Sequence, residues 1–130
     1  MAPERRSAVD AWRPACRVAT VLAVLAVSWL ALVPAPPPQA DTGWDKANHA
    51  LAFAVLALLA EGGWGPGRAR AIAAGLMAYG ALIEGLQTQL PPRCGDWADL
   101  MADAAGVAIG LALACAVRWC VRRPPAFPGR

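Results

Sequence analysis

The fold is decided by residues 15 to 33, ACRVATVLAVLAVSWLALV, an apolar run whose one charged side chain is Arg17. A helix that crosses the hydrocarbon core of a bilayer needs about 20 residues at 1.5 Å each. The run has that length and stops at Pro34, which is followed by three consecutive prolines at 36 to 38 that cannot continue a regular helix. It therefore predicts a first transmembrane helix.

Three further apolar segments follow, over residues 47 to 60, 71 to 87 and 100 to 119. The first two of these are shorter than a full crossing, so their polar ends have to reach the headgroups, and the segment 47 to 60 could instead be re-entrant or merely buried. The pattern predicts an all-α, small polytopic membrane protein with four transmembrane helices. Residues 15 to 120 then form one membrane domain between an N-terminal tail, 1 to 14, and a basic C-terminal tail, 121 to 130.

Composition supports the membrane interpretation. Apolar residues make up 58% of the chain and charged residues 16%, against roughly 45–50% and about 25% in average soluble domains. Much of the apolar content is alanine, so a soluble all-helical protein remains the alternative. The net charge of +3 does not indicate nucleic-acid binding, because the sequence has neither a basic face with interleaved aromatic residues nor a known binding module.

The distribution of basic residues predicts the orientation of the bundle. Arginines precede the first span, separate the second from the third, and close the chain, whereas only Lys46 and Arg93 fall in the two remaining loops. Because cytoplasmic loops carry the excess of Lys and Arg, both termini are expected in the cytoplasm. The alternative is a signal peptide cleaved near residues 33 to 35, which would leave three spans and put the mature N-terminus outside.

Polar residues cluster at helix ends that this orientation places on the outer side. Asp45 and His49 are four residues apart and Glu84 and Gln87 are three apart, so each pair shares a helix face. The fourth segment carries a stripe with spacings of four, three and four: Asp99, Asp103, Gly106 and Gly110. Ionisable groups in or beside lipid are costly and mark a functional site. The GxxxG pattern at 106 to 110 lets another helix approach closely and predicts helix–helix self-association.

These residues support two hypotheses. In one, the protein is a membrane enzyme acting on an envelope or lipid-linked substrate. Glu84, His49 and Asp99 would then be catalytic, and a larger set would bind the substrate: Lys46, Asp45, Gln87, Arg93 and Asp103. In the other, it is a non-catalytic binder or accessory factor. The second is favoured, because no hydroxyl or thiol has an evident activating base.

Simpler structural roles are alternatives for individual residues. Asp96 could be only the N-cap of the last helix, Lys46 and Arg93 only interfacial anchors, and Glu84 only the partner of one of those two cations. No metal site and no cofactor are predicted, because a single histidine among oxygen donors is a poor zinc site and the chain has no CxxC motif. A metal held by His49 and carboxylates is the minor alternative.

The ordered set of polar residues resembles the VanZ-like membrane proteins over about residues 41 to 120. The family's recurring polar signature corresponds to six positions here: Lys46, His49, Glu84, Gln87, Arg93 and Asp99. One departure is Asp103, where the family usually has asparagine. The resemblance implies a VanZ-like four-helix domain in a bacterial cytoplasmic membrane, with membrane lipid and an envelope precursor or glycopeptide as partners. It also implies a link to resistance of the teicoplanin type, which is associated with the family's namesake.

Overall fold

A computed structural model describes residues 3–34, 44–91 and 95–122. It contains four helices: α1 (Pro3–Leu32), α2 (Asp45–Trp64), α3 (Ala69–Gln87) and α4 (Trp97–Arg122). A single 3₁₀ turn, Pro66–Arg68, joins α2 to α3, and the described residues include no strand. The all-α prediction is therefore confirmed.

The helices extend beyond the predicted apolar segments. α1 begins at Pro3 and continues through Pro14, so most of the predicted N-terminal tail is helical. α4 begins at Trp97 because Asp96 caps it: the Asp96 Oδ1 atom accepts the Ala98 backbone N–H at 2.9 Å. This confirms the capping role considered for Asp96. Apolarity marks the part of a helix that lipid can surround, whereas capping and backbone hydrogen bonds decide where the helix ends.

The turn after α2 depends on a glycine. α2 ends at Trp64, and Gly65 follows with φ at 86°, a left-handed conformation that side-chain-bearing residues rarely adopt. The chain reverses there and enters the 3₁₀ turn with Pro66 at its first position. This short connection makes α2 and α3 antiparallel neighbours.

Three helical segments are long and apolar enough to cross a membrane: Ala11–Leu32, Pro66–Gln87 and Trp97–Val121. α2 is 20 residues long, but polar side chains at both of its ends shorten its apolar stretch. The surface suits a bilayer, because large apolar side chains along the helices are exposed, among them Leu25, Leu51, Leu82 and Leu113. The membrane prediction is thus confirmed for three of the four segments.

α2 lies at the centre of the bundle and packs mainly against α4. Its buried side chains Phe53, Leu56 and Ala57 form a core with Leu76 of α3 and Val107 of α4. An aromatic pair reinforces this core, because the Phe53 ring stacks on the Tyr79 ring with centroids 5.8 Å apart.

The GxxxG pattern is used inside the chain. Gly106 and Gly110 are buried, and a Cβ atom on either would run into the backbone of Ala50 or Ala54 of α2. The close helix approach expected from this pattern is present, but the partner is α2 of the same chain. The predicted self-association through Gly106 and Gly110 is therefore wrong for this surface, because α2 already covers it.

Candidate functional site

The predicted polar residues meet at one end of the bundle, where α1 ends, α2 begins, α3 ends and α4 begins. Two contacts define this end. The Gln87 side-chain amide of α3 donates to the backbone carbonyl of Ala31 in α1 at 3.0 Å, and Lys46 of α2 reaches the start of α4. The alternating directions of the helices bring together residues that are up to 56 positions apart in the sequence.

His49 is the centre of the cluster. Its Nδ1 atom lies 2.9 Å from Oδ1 of Asp103, a side chain that is only 1% exposed. Its Nε2 atom faces two further carboxylates, 3.9 Å from Oε1 of Glu84 and 4.0 Å from Oδ2 of Asp99. These two separations exceed a direct hydrogen bond. The imidazole is thus oriented by Asp103 and presents its other nitrogen to two acids.

Lys46 is engaged by acidic partners. Its ammonium group donates to Oδ2 of Asp96 at 3.1 Å and to Oδ1 of Asp99 at 3.2 Å. The Ala98 N–H first and Lys46 second lower the pKa of the Asp96 carboxyl from its usual value. Because its charge is already paired, Lys46 is poorly suited to the predicted role of holding an anion, and the ion pair considered between Lys46 and Glu84 is not the one that forms.

Glu84 lies at the end of α3 and is 9% exposed. Its Oε2 atom accepts the Asp96 backbone N–H at 2.8 Å, while its Oε1 atom has no hydrogen-bond partner among the described residues. Gly95 permits this approach, because a Cβ there would lie 2.7 Å from the Glu84 carbonyl oxygen. The segment before α4 is therefore pressed directly against the end of α3.

The second carboxylate oxygen without a partner belongs to Asp103. Its Oδ2 atom is buried and has no hydrogen-bond partner in the described part of the chain. It faces Gly80 of α3, where a Cβ would lie 2.5 Å from it. Leaving a buried polar atom unpaired costs about 1–3 kcal/mol, more for a charged group. Two such oxygens lie beside one imidazole, and the described residues supply a donor to neither.

The structure brings most of the predicted site residues together, namely Lys46, His49, Glu84, Asp99 and Asp103. Asp45 is exposed at the rim, and its carboxylate lies within 4.8 Å of ligand atoms of His49 and Asp99. Gln87 is buried but ties α3 to α1. Arg93 lies outside the described residues.

Sequence reasoning missed three contributions to this end of the bundle. It did not predict that Asp96 pairs with Lys46. It also gave no role to Gly80 and Gly95, whose missing side chains leave room for the Asp103 and Glu84 carboxylates respectively. The dipeptide Gly95-Asp96 directly before an apolar helix was the available signal, since glycine permits close approach and aspartate caps.

A second polar contact, at the opposite end, was also missed. Glu61 of α2, 5% exposed, forms an ion pair with Arg118 of α4. Nearby, Arg17 of α1 donates from Nε to the Gly63 carbonyl oxygen at 3.0 Å and lies over the Trp64 ring, 5.7 Å from its centroid. The Glu61–Arg118 pair joins α2 to α4 and the Arg17 contacts join α1 to α2, so this end fastens three helices together.

Comparison with known protein families, curated proteins and solved structures found no match to this chain. The resemblance to VanZ-like proteins therefore stays a prediction that rests on the residues quoted for it.

Proposed function

We propose that this chain is a four-helix membrane protein that binds the polar headgroup of a cell-envelope component at the His49 end of the bundle, in a non-catalytic role. The two buried carboxylate oxygens without a partner, on Glu84 and Asp103, carry the proposal. They require hydrogen-bond donors or positive charge from outside the described residues. A headgroup that brings donors or a bound cation would complete the site.

Tryptophans support α2 as the fourth crossing. All six are at least 36% exposed, and they divide between the two ends of the bundle: Trp12, Trp64 and Trp119 at one, Trp29, Trp44 and Trp97 at the other. Tryptophan is enriched at both membrane interfaces. Trp44 and Trp64 flank α2, whose 20 residues span about 30 Å at 1.5 Å per residue, the thickness of the hydrocarbon core.

The excess of arginine in the other loops supports an outward-facing His49 end. Labelling of Cys94 by a membrane-impermeant maleimide in bacterial spheroplasts tests this, with Cys94→Ala as the control. We expect labelling of intact spheroplasts that disappears in the control. Labelling only after lysis would contradict the outward orientation.

Headgroup binding is tested by purifying the protein in a mild detergent and identifying co-purified lipids by mass spectrometry. We expect Glu84→Gln to lose a lipid that the native chain retains, with unchanged membrane insertion. Glu61→Gln is the matched control, because it removes the same charge at the opposite end. Equal retention of every lipid in Glu84→Gln would refute the proposal. If a lipid is lost, the resemblance makes teicoplanin susceptibility the second measurement.

The arrangement around His49 favours one alternative, a membrane enzyme with an acid–base site. Asp103 orients His49, and Nε2 faces Glu84 at 3.9 Å, a gap in which a small reacting group could exchange a proton with either side chain. If the protein is a binder, single charge changes should reduce lipid retention by degrees, and exchanging Lys46 and Asp99 should restore part of that retention. If the protein is an enzyme, His49→Gln or Glu84→Gln should abolish its activity while the lipid is still retained.

A further inference from the structure

We propose that the His49 end of the bundle holds a divalent metal ion, bound by Nε2 of His49 and by carboxylate oxygens of Glu84 and Asp99. Asp45 would complete the site on the solvent side. This inference deepens the proposed function, on which it rests, by naming the cation that occupies the site.

The donor atoms have suitable separations. Oxygens of Glu84 and Asp99 lie 3.9 and 4.0 Å from His49 Nε2, and ligand atoms of Asp45, His49 and Asp99 all lie within 4.8 Å of one another. Two ligands about 2.1 Å from one ion are about 3 Å apart when adjacent and about 4.2 Å apart when opposite. The ligand atoms of Asp45, His49 and Asp99 are thus close enough to share an ion after small side-chain movements, and Glu84 approaches the same imidazole nitrogen to 3.9 Å.

The unpaired oxygen of Glu84 points to a ligand independently of the acidic residues around it. Glu84 is 9% exposed, and its Oε1 atom is buried with no partner among the described residues. This atom faces the same imidazole nitrogen that Asp99 faces. An ion at that point would satisfy this oxygen, which has no partner among the described residues.

The contact between His49 and Asp103 gives the histidine the usual surroundings of a metal ligand. A metal-bound histidine almost always donates its other ring N–H to a carboxylate or a carbonyl, which fixes the tautomer. Here Asp103 lies 2.9 Å from Nδ1, so Nδ1 can donate and Nε2 carries the lone pair toward Glu84 and Asp99.

The buried charge has the right sign. Glu84, Asp99 and Asp103 are at most 9% exposed, and Lys46, the cation that contacts this set among the described residues, is shared with Asp96. Uncompensated carboxylates are costly in a low-dielectric site. A divalent ion would offset part of this negative charge.

The donor set selects among divalent ions. Carboxylate oxygens suit Mg²⁺, Ca²⁺ and Mn²⁺, whereas imidazole suits the transition metals. Mn²⁺ is a transition metal that also accepts carboxylate ligands, so one imidazole with two or three carboxylates suits it. This set lacks the several nitrogen or sulfur ligands typical of structural zinc sites. Mn²⁺ is also paramagnetic, so it serves as the probe.

The test uses the full chain without a polyhistidine tag, reconstituted in lipid nanodiscs and titrated with Mn²⁺. Electron paramagnetic resonance measures bound ion, and pulsed methods detect nitrogen bonded to it. Because the chain contains a single histidine, an imidazole nitrogen signal can come only from His49. We expect about one Mn²⁺ per chain with that signal. No binding at millimolar Mn²⁺, or bound Mn²⁺ without the nitrogen signal, would overturn the inference.

Variants supply the second measurement. His49→Gln and Glu84→Gln are each expected to weaken Mn²⁺ binding more than about tenfold, since even outer-shell partners of a metal contribute 10–100-fold. Glu61→Gln is the matched control, because Glu61 pairs with Arg118 at the opposite end of the bundle, and the Mn²⁺ affinity of this variant should be unchanged. Lipid retention without Mn²⁺ binding would refute the metal site but would not contradict the proposed function. Mn²⁺ binding without Glu84-dependent lipid retention would uphold the ion and refute headgroup binding.

Discussion

The contact between α2 and α4 predicts opposite effects of the same substitution at two glycines. A Cβ atom on Gly106 would run into the Ala50 backbone, meeting the carbonyl oxygen closely and the Cα and carbonyl carbon at 3.0 Å. A Cβ atom on Gly75 would meet nothing within 4 Å. Both glycines lie inside helices, so Gly106→Ala and Gly75→Ala differ only in what surrounds the added methyl group.

The expected magnitudes follow from two opposing terms. Alanine stabilises a helix interior by about 0.5–1 kcal/mol relative to glycine, so Gly75→Ala should raise the free energy of unfolding by about that amount. Overpacking a well-packed interface costs about 1–3 kcal/mol. Backbone atoms cannot rotate away as a side chain can, so we expect the upper part of this range at Gly106. The net loss of stability for Gly106→Ala is then about 1–2 kcal/mol.

Reversible unfolding in mixed detergent micelles, followed by tryptophan fluorescence as the fraction of dodecyl sulfate rises, measures both values. We expect the two variants to differ by about 2 kcal/mol. Light scattering on the same samples checks that the oligomeric state is unchanged, because Gly106 contacts α2 of its own chain. If Gly106→Ala were as stable as Gly75→Ala, the backbone contact between α2 and α4 would be refuted.

Three further predictions concern stability. Arg118→Met strands the Glu61 carboxylate and should cost about 3 kcal/mol, whereas the double variant with Glu61→Leu should recover most of this loss in the same unfolding assay; an equally unstable double variant would argue against the ion pair. Tyr79→Phe removes the hydroxyl that lies 2.8 Å from Ser28 and should cost about 1 kcal/mol, and an unchanged stability would contradict that bond. Because the pKa of Asp96 is lowered in the fold, its stabilising contribution is present above the ordinary aspartate pKa of about 3.9 and is lost as pH falls through the lower folded value. The free energy of unfolding should therefore depend on pH with the same slope in Asp96→Asn and in the native chain between pH 5 and 8.

Local patterns in the sequence were sufficient to predict that the chain is helical and where four helices lie, though not where each helix ends. The spacings of Asp45 with His49 and of Asp99 with Asp103 follow from helix periodicity alone. The structure places all three aspartates around His49. The antiparallel arrangement of α2 and α3 also follows from the sequence, because Gly65 and Pro66 mark a short connection between them.

The partners chosen across the helix interfaces could not be predicted in this way. Lys46 contacts Asp96 and Asp99 rather than Glu84, a choice that depends on the axial register of α2 against α4. The partner of Gly106 was likewise undetermined, because a small-residue stripe accepts a helix of the same chain or of another equally well. Register and partner depend on packing, which a single sequence does not display.

The backbone contact of α4 with α2 has a mechanical consequence. At Gly106 and Gly110 no side chain separates the two helices, so there is no rotamer whose change could let one slide past the other. We therefore expect α2 and α4 to move together. α3 meets this pair through side chains that can repack, such as Phe53 and Asp103 against Gly80. α1, by contrast, also approaches α2 through its backbone, at Arg17 against Gly63. Any opening at the His49 end should therefore be a tilt of α3 against α2 and α4. It should break the hydrogen bond between the Asp96 N–H and Glu84 Oε2 and carry Glu84 away from His49 while leaving Asp99 and Asp103 in place.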